Sequence, residues 1–227
     1  MSAWHSEQVR IRDLGLLAGL LWLLAGALAV AIWQAAPTPM VDVDIATPVH
    51  AFAVSQPWVV GVCQVFAVMG SALVLTPVTV VVVIVLARTG HGWFALWVAA
   101  CGMGGWIISE TVKHIVDRHR PVWPDPLATL TSPSFPSGHS MAGIYGYVVF
   151  GVVALALLRQ RWPGVVLIVF GVLMGPSRVA LGVHWPTDVL EGWLLAGAWV
   201  CTVATILLAL QRRRITAAEQ VGAGALT

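Results

Sequence analysis

The sequence predicts an all-α integral membrane protein with six transmembrane helices, and three observations carry that expectation. Hydrophobic residues make up 59% of the chain and charged residues only 10%, far outside the composition of soluble domains. The apolar residues gather into separated runs of about the 20 residues that a spanning helix needs. Between the runs lie segments in which prolines and charges are concentrated. A chain of 227 residues suits a single membrane-embedded domain over 1–227.

The spans are expected at about 14–33, 69–88, 93–113, 140–158, 162–178 and 189–210. The first run, Leu14 to Trp33, is too long for a signal-peptide core and no clear small-residue cleavage site follows it, so it is expected to remain as an anchor. The apolar stretch from Pro57 to Ala87 exceeds one helix and contains Gly70, Ser71 and Pro77, so its first part is expected to lean on the outer surface. The fifth span is short and needs Arg178 at headgroup level, where a charge costs far less than at the bilayer centre. After Arg214 a polar, small-residue tail over about 215–227 is expected to be mobile.

Six spans put both termini on one side, and basic residues in short loops say which. With the termini inside, the cytoplasmic side receives Arg10, Arg12, Arg88, Arg159, Arg161, Arg212, Arg213 and Arg214, and the outer side only Lys113, Arg118, Arg120 and Arg178. The expected location is the cytoplasmic (inner) membrane, multi-pass, with both termini cytoplasmic. The long outer segments are then about 34–68 and 114–139, the second broken by Pro121, Pro124, Pro126, Pro133 and Pro136.

Other features have plain readings. The net charge of +2, from 12 basic and 10 acidic residues, is too even for a nucleic-acid partner. Cys63, Cys101 and Cys201 sit in apolar runs at spacings that suit neither a disulfide framework nor zinc, and read as small core residues. Trp58, Trp93, Trp123, Trp162 and Trp185 lie near span ends, as an interfacial belt does. His5, His50, His91, His114 and His119 read as interfacial side chains. Gly102, Gly104 and Gly105 permit close helix packing.

Three short blocks on the outer side concentrate the remaining polar residues. Lys113 is followed after six residues by Arg120 and Pro121; Pro136, Ser137, Gly138 and His139 are consecutive; Ser177 and Arg178 are followed by His184 and, four residues later, Asp188. Block for block, residues 113–188 resemble the signature of the type 2 phosphatidic acid phosphatase superfamily, to which soluble vanadium haloperoxidases also belong. The resemblance implies a six-helix membrane phosphatase with its active-site loop region on the extracytoplasmic face. It further implies His184 as nucleophile, Asp188 as its partner, His139 as general acid and base, and no metal or cofactor.

The residue types suit that chemistry. A phosphoryl group in transfer spreads negative charge over its equatorial oxygens, and Lys113, Arg120 and Arg178 supply cations for it. Ser137 offers a hydroxyl and Gly138 a backbone amide at the start of a helix. Asp188, four residues past His184, can hold the imidazole Nδ1 proton and leave Nε2 as a lone-pair nucleophile. His139 can protonate the departing oxygen and later activate water. Glu110 and Lys113 stand at helical pairing distance. Asp117 and Arg118 fall in free positions of the first block and read as surface residues. Glu191 reads either as a support for the His184–Asp188 pair or as a solvated span-end carboxylate.

The expected function is hydrolysis of a membrane lipid phosphate or diphosphate through a phosphohistidine intermediate. The outward-facing site and compact chain favour a polyprenyl diphosphate such as undecaprenyl diphosphate. Phosphatidylglycerophosphate and phosphatidate also fit, because the blocks contact phosphate alone. Two alternatives remain: a lipid phosphotransferase using the same histidine, and a noncatalytic transporter or scramblase, which would place ionisable groups at the bilayer midplane rather than at the outer ends of spans.

Overall fold

The computed structural model describes residues 2–35 and 38–224, with the side chains of 2–9, 219 and 221–224 left out, and among the described residues every regular element is helical. Five stretches are long and apolar enough to cross a membrane: Arg10–Gln34 within α1 (Ser2–Gln34), α5 (Gly92–Val116), the unit Gly138–Leu157, α8 (Trp162–Ala180), and Pro186–Ala218 within α9 (Pro186–Gly224). They correspond to the first, third, fourth, fifth and sixth expected spans.

The second expected span is shorter than 69–88. Gly70 and Ser71 separate it from the preceding helix, leaving α4 (Ala72–Arg88) with 17 residues, about 25 Å of helix. Before it, the long segment after α1 is two helices, α2 (Met40–Ser55) and α3 (Pro57–Met69), bent by 110°. Pro57 opens α3 at its first position, and Gln56 before it is extended (φ −129°, ψ 89°), as the residue preceding proline prefers.

The tail expected over 215–227 continues α9 as far as Gly224, and residues 225–227 lie outside the described residues. Ala217, Ala218, Glu219 and Gln220 are good helix formers, and polarity does not by itself end a helix.

Helix α1 lies antiparallel along α9: the Trp22 indole donates to Thr202 Oγ1 at 3.0 Å, and Gly15 faces Thr205. The largest core gathers Leu75, Val98, Cys101, Tyr147, Phe150 and Met174 from four helical units. Cys63 and Cys101 are buried, Cys201 is partly so, and all three are free. In α5, Gly104 receives the face of Trp199 and Gly105 that of Tyr145, the close packing expected there.

The unit Gly138–Leu157 comprises α6 (Gly138–Ala142), a π-helical stretch (Gly143–Val148) and α7 (Val149–Leu157). It meets α8 backbone to backbone. A Cβ on Gly143 would stand 2.1 Å from the Gly171 carbonyl oxygen, and one on Gly151 2.6 Å from that of Gly164.

These contacts give a signed prediction. Gly143→Ala and Gly171→Ala should each destabilise the protein by roughly 1–3 kcal/mol, because backbone must move. Gly26→Ala, which meets nothing within 4 Å, should be neutral or stabilising by up to about 1 kcal/mol. Unfolding followed in mild detergent separates the two classes; equal effects at all three positions would show that the close approach is not a constraint.

Candidate active site

His184 lies in the short link from α8 to α9, and local rules shape that link. Gly182 has φ +72°, and a Cβ there would stand 2.6 Å from Trp123 Nε1 and 2.7 Å from His50 Nδ1, so glycine is needed on both counts. His50 stacks on Trp123 at 4.5 Å and donates from Nδ1 to the Ala180 carbonyl at 3.1 Å; Trp123 donates to the Gly182 carbonyl at 2.9 Å. His50 is thus a buried support of the link rather than an interfacial side chain. Trp123 and Trp185 belong to the same aromatic group instead of a membrane belt, while Trp58 and Trp162 are exposed.

Pro186 begins α9, which puts Asp188 in its first turn. The carboxylate accepts the Trp185 amide at 2.8 Å through Oδ2, as an acidic side chain does when it reaches back to a helix start. The same oxygen takes a short hydrogen bond from the Ser134 hydroxyl and lies 3.5 Å from His184 Nδ1. That last separation is long for a hydrogen bond, and His184 Nδ1 has no nearer partner among the described residues.

Arg120 settles which histidine nitrogen carries the proton. Its Nη1 lies 3.1 Å from His184 Nε2, and since arginine only donates, Nε2 holds the lone pair and Nδ1 the proton. Arg120 is fixed by the carbonyls of Val183, Ser132 and Pro133 at 2.6, 2.7 and 3.1 Å. Burial pushes the His184 pKa down to about 4, and the charges of Arg120 and Arg178 add to the fall, while Asp188 opposes it. The imidazole is therefore neutral near pH 7.

Arg178, in the last turn of α8, is 3% exposed, and its Nε and Nη1 are buried with no hydrogen-bond partner among the described residues. Arg120, His184 and His139 all lie within its electrostatic reach. Lys113 enters from the last turn of α5 and is paired with Glu110 at 2.9 Å, the pairing expected from their spacing.

Ser137 starts α6. Its backbone amide donates to the Asp188 carbonyl at 3.0 Å, and its Oγ accepts from the Ser140 amide and hydroxyl at 3.3 and 2.8 Å, leaving its own proton to donate. A Cβ at Gly138 would lie 3.4 Å from Lys113 Nζ, so this amide and ammonium are neighbours. His139 donates from Nε2 to the Ala67 carbonyl at 3.0 Å, which ties it to α3 and turns Nδ1 into the acceptor. All eight residues singled out in the three blocks thus meet in one region.

Other residues here carried no sequence signal. Arg118, expected on the surface, is 10% exposed; it bonds Asp188 Oδ1 at 2.6 Å, Asp42 Oδ2 at 2.6 Å and Thr187 Oγ1 at 2.8 Å. Asp42, fully buried in α2, also accepts the Thr187 amide and hydroxyl at 2.9 and 2.7 Å. Glu191 is fully buried with both oxygens unpartnered, which overturns the solvated reading. His114 and His119 are exposed and His91 half-exposed; the His5 side chain lies outside the described residues. Among the described residues no group of three His, Cys, Asp or Glu could hold a metal ion.

Two hollows flank the cluster. A cleft of about 680 Å³ between α4 and α5 begins at Ser71, Lys113 and His139 and descends past Thr79 and Val80 to Ile84 and Leu96. Another, of about 630 Å³, lies under the 117–133 loop and reaches Arg118, Arg120 and Val183 from the opposite side.

Known proteins resemble this chain in sequence and fold. The chain is 37% identical over 99 residues to the undecaprenyl-diphosphatase of Sulfolobus acidocaldarius, a match covering 41% of this chain and 45% of that one. It is 32% identical over 160 residues to phosphatidylglycerophosphatase B of Bacillus subtilis, covering 67% and 77%. The solved structure of the transmembrane PAP2-type phosphatidylglycerolphosphate phosphatase from Bacillus subtilis superposes with a TM-score of 0.70 at 29% identity, covering 82% of this chain and 94% of the other. Residues 92–212, from the start of α5 into the last helix α9, match the PAP2 superfamily as a whole, and this multi-pass membrane chain belongs to it.

Proposed function

We propose that the protein hydrolyses a membrane lipid phosphate or diphosphate through a phosphohistidine at His184. The observation that carries this is the pairing of a lone-pair nucleophile with a buried cation that lacks a counter-charge: Arg120 marks His184 Nε2 as unprotonated, and Arg178 presents buried N–H groups with no acceptor. A buried guanidinium left so is costly. A phosphoryl group would satisfy it within the electrostatic reach of His184.

The residues then divide the reaction. Arg178, Arg120, Lys113, the Ser137 hydroxyl and the Gly138 amide hold the phosphoryl oxygens. His184 Nε2 forms the N–P bond as the P–O bond to the lipid breaks, and Asp188 holds the Nδ1 proton through the change. His139, when Nδ1 also carries a proton and Nε2 stays on the Ala67 carbonyl, gives the Nδ1 proton to the departing oxygen and takes one back from the water that cleaves the N–P bond, releasing phosphate. No metal takes part in these steps.

The apolar cleft supports a lipid substrate with a long chain. From Ala72 to Ile84 it follows α4 for about 18 Å, a length that suits an extended lipid chain. A relative carries the name undecaprenyl-diphosphatase. Polyprenyl diphosphate is the preferred substrate, with phosphatidylglycerophosphate, phosphatidate and transfer to another acceptor as the competing readings. The uneven distribution of basic loop residues supports cytoplasmic termini in an inner membrane and a site on the opposite face.

Purified protein in mild detergent should release inorganic phosphate from undecaprenyl diphosphate, with or without EDTA, and quenching in alkaline detergent should leave phosphate on the protein as an alkali-stable, acid-labile adduct. His184→Ala should lose at least about 100-fold in rate and all of the adduct. Labelled phosphate found on an added alcohol instead of in solution would make the protein a transferase, and full activity in His184→Ala would discard the covalent route.

The His184 imidazole should remain neutral from pH 7.5 to 5.0, because burial holds its pKa near 4. Protonation removes the Nε2 lone pair, so phosphoryl transfer to it should fall as pH drops through about 4. Nitrogen NMR of histidine-labelled protein, assigned by the signal missing in His184→Gln, reports this directly. A transition between pH 6 and 7 would contradict it.

In a cysteine-free background, a cysteine at Pro126 should react in intact cells with a membrane-impermeant maleimide, and one at Gln160 only after lysis. The reverse pattern would place the site on the cytoplasmic face.

A further inference from the structure

We propose that Asp42 and Arg118 are positioning residues for the phosphoryl-transfer step, acting on His184 through Asp188. The proposal rests on the phosphohistidine reading above and extends it to helix α2, which lies outside the three blocks.

Geometry is the first support. Arg118 bridges two fully buried carboxylates, with Nη1 at 2.6 Å from Asp188 Oδ1 and Nη2 at 2.6 Å from Asp42 Oδ2. Its Nη1 also bonds Thr187 Oγ1, whose hydroxyl and amide are both taken by Asp42. Asp188 is consequently held from both sides. Arg118 grips Oδ1, while Ser134 and the Trp185 amide grip Oδ2, the oxygen nearest His184. Rotation of the carboxylate away from the imidazole would break one of these bonds.

Charge is the second support. One guanidinium between two carboxylates leaves the group a net negative charge. If Asp42 were neutral, Arg118 would fully balance Asp188, and the carboxylate facing His184 would lose most of its ability to stabilise the positive imidazole ring of the phosphohistidine. Asp42 keeps Asp188 an effective anion.

Stability offers a poorer explanation. Buried ion pairs commonly fail to outweigh the desolvation of their members, and apolar replacements are often as stable. What such a triad supplies is a defined arrangement, and here that arrangement ends on the proposed nucleophile's partner. Asp42 adds a second link by accepting the amide at the start of α9, the helix that carries Asp188.

The decisive variant is Asp42→Asn, which keeps shape and removes charge. Its kcat for phosphate release should fall about 10-fold, with KM and the inhibition constant of inorganic phosphate within about twofold, since it touches no phosphate ligand; a misplaced reacting group alone costs up to about 100-fold. Single turnovers quenched in alkaline detergent should locate the loss in formation of the phosphoenzyme. The effect must also vanish in an Asp188→Asn background, because a residue acting through Asp188 has nothing left to act on. Arg118→Lys should lose more than Asp42→Asn and less than Arg118→Met.

Where Asp42→Asn accumulates poorly, Thr187→Val removes only the bridging hydroxyl and should show a loss of about threefold with the same non-additivity. A wild-type kcat in Asp42→Asn, or losses that add to those of Asp188→Asn, would overturn the proposal while leaving the phosphatase reading intact. Absence of phosphate release from the wild-type protein would instead refute the reading on which it rests.

Discussion

The carboxylate of Asp188 is the joint on which the site depends. Its two oxygens and its backbone carbonyl are engaged by the 117–137 loop through Arg118 and Ser134, by the start of α9 through the Trp185 amide, and by the start of α6 through the Ser137 amide. Each engagement is directional, so together they fix where three separate parts of the chain stand relative to His184. A buried charge with this many donors is far better compensated than an isolated ion pair. That explains how a site so rich in charge persists beside the apolar core of a membrane protein.

The cations around it are held in three different ways. Arg120 is spent on carbonyls and on His184, Lys113 on Glu110, and Arg178 on nothing among the described residues. An arriving anion therefore meets one cation immediately and must displace weaker partners from the other two. The most exposed pairing, Lys113 with a carboxylate 42% open, is the easiest of these to exchange.

The spans and the three blocks were legible because their signals are local: apolar runs have a length set by the bilayer, and block spacing is set by one turn of helix or one tight link. The bend between α2 and α3 was partly visible in Pro57, but the second span began late because Gly70 faces His139, a residue 69 positions away. Asp42, Arg118 and His50 were misread or unremarked for the same reason. Their partners lie 76, 70 and 130 residues distant, and a single sequence gives no sign of pairing at such range. Glu191 could not be judged because the same spacing serves a solvated turn and a buried one. Polarity after Arg214 does not end the helix, because the composition of 215–224 still favours helix.

The glycine contacts between the Gly138–Leu157 unit and α8 make these two helices a single stiff body, joined where backbone touches backbone. Both carry parts of the anion cradle. The cleft wall on α4, by contrast, is built from the replaceable side chains of Thr76, Thr79, Val80 and Val83, none of which bonds to the cradle. Substitution along α4 can therefore reshape the apolar channel while the chemistry beside it stays in register. Two parts with separate tolerances emerge, one where a single added methyl group meets backbone and one where side chains can be exchanged, so the width of the apolar channel is adjustable without moving the charged groups beside it.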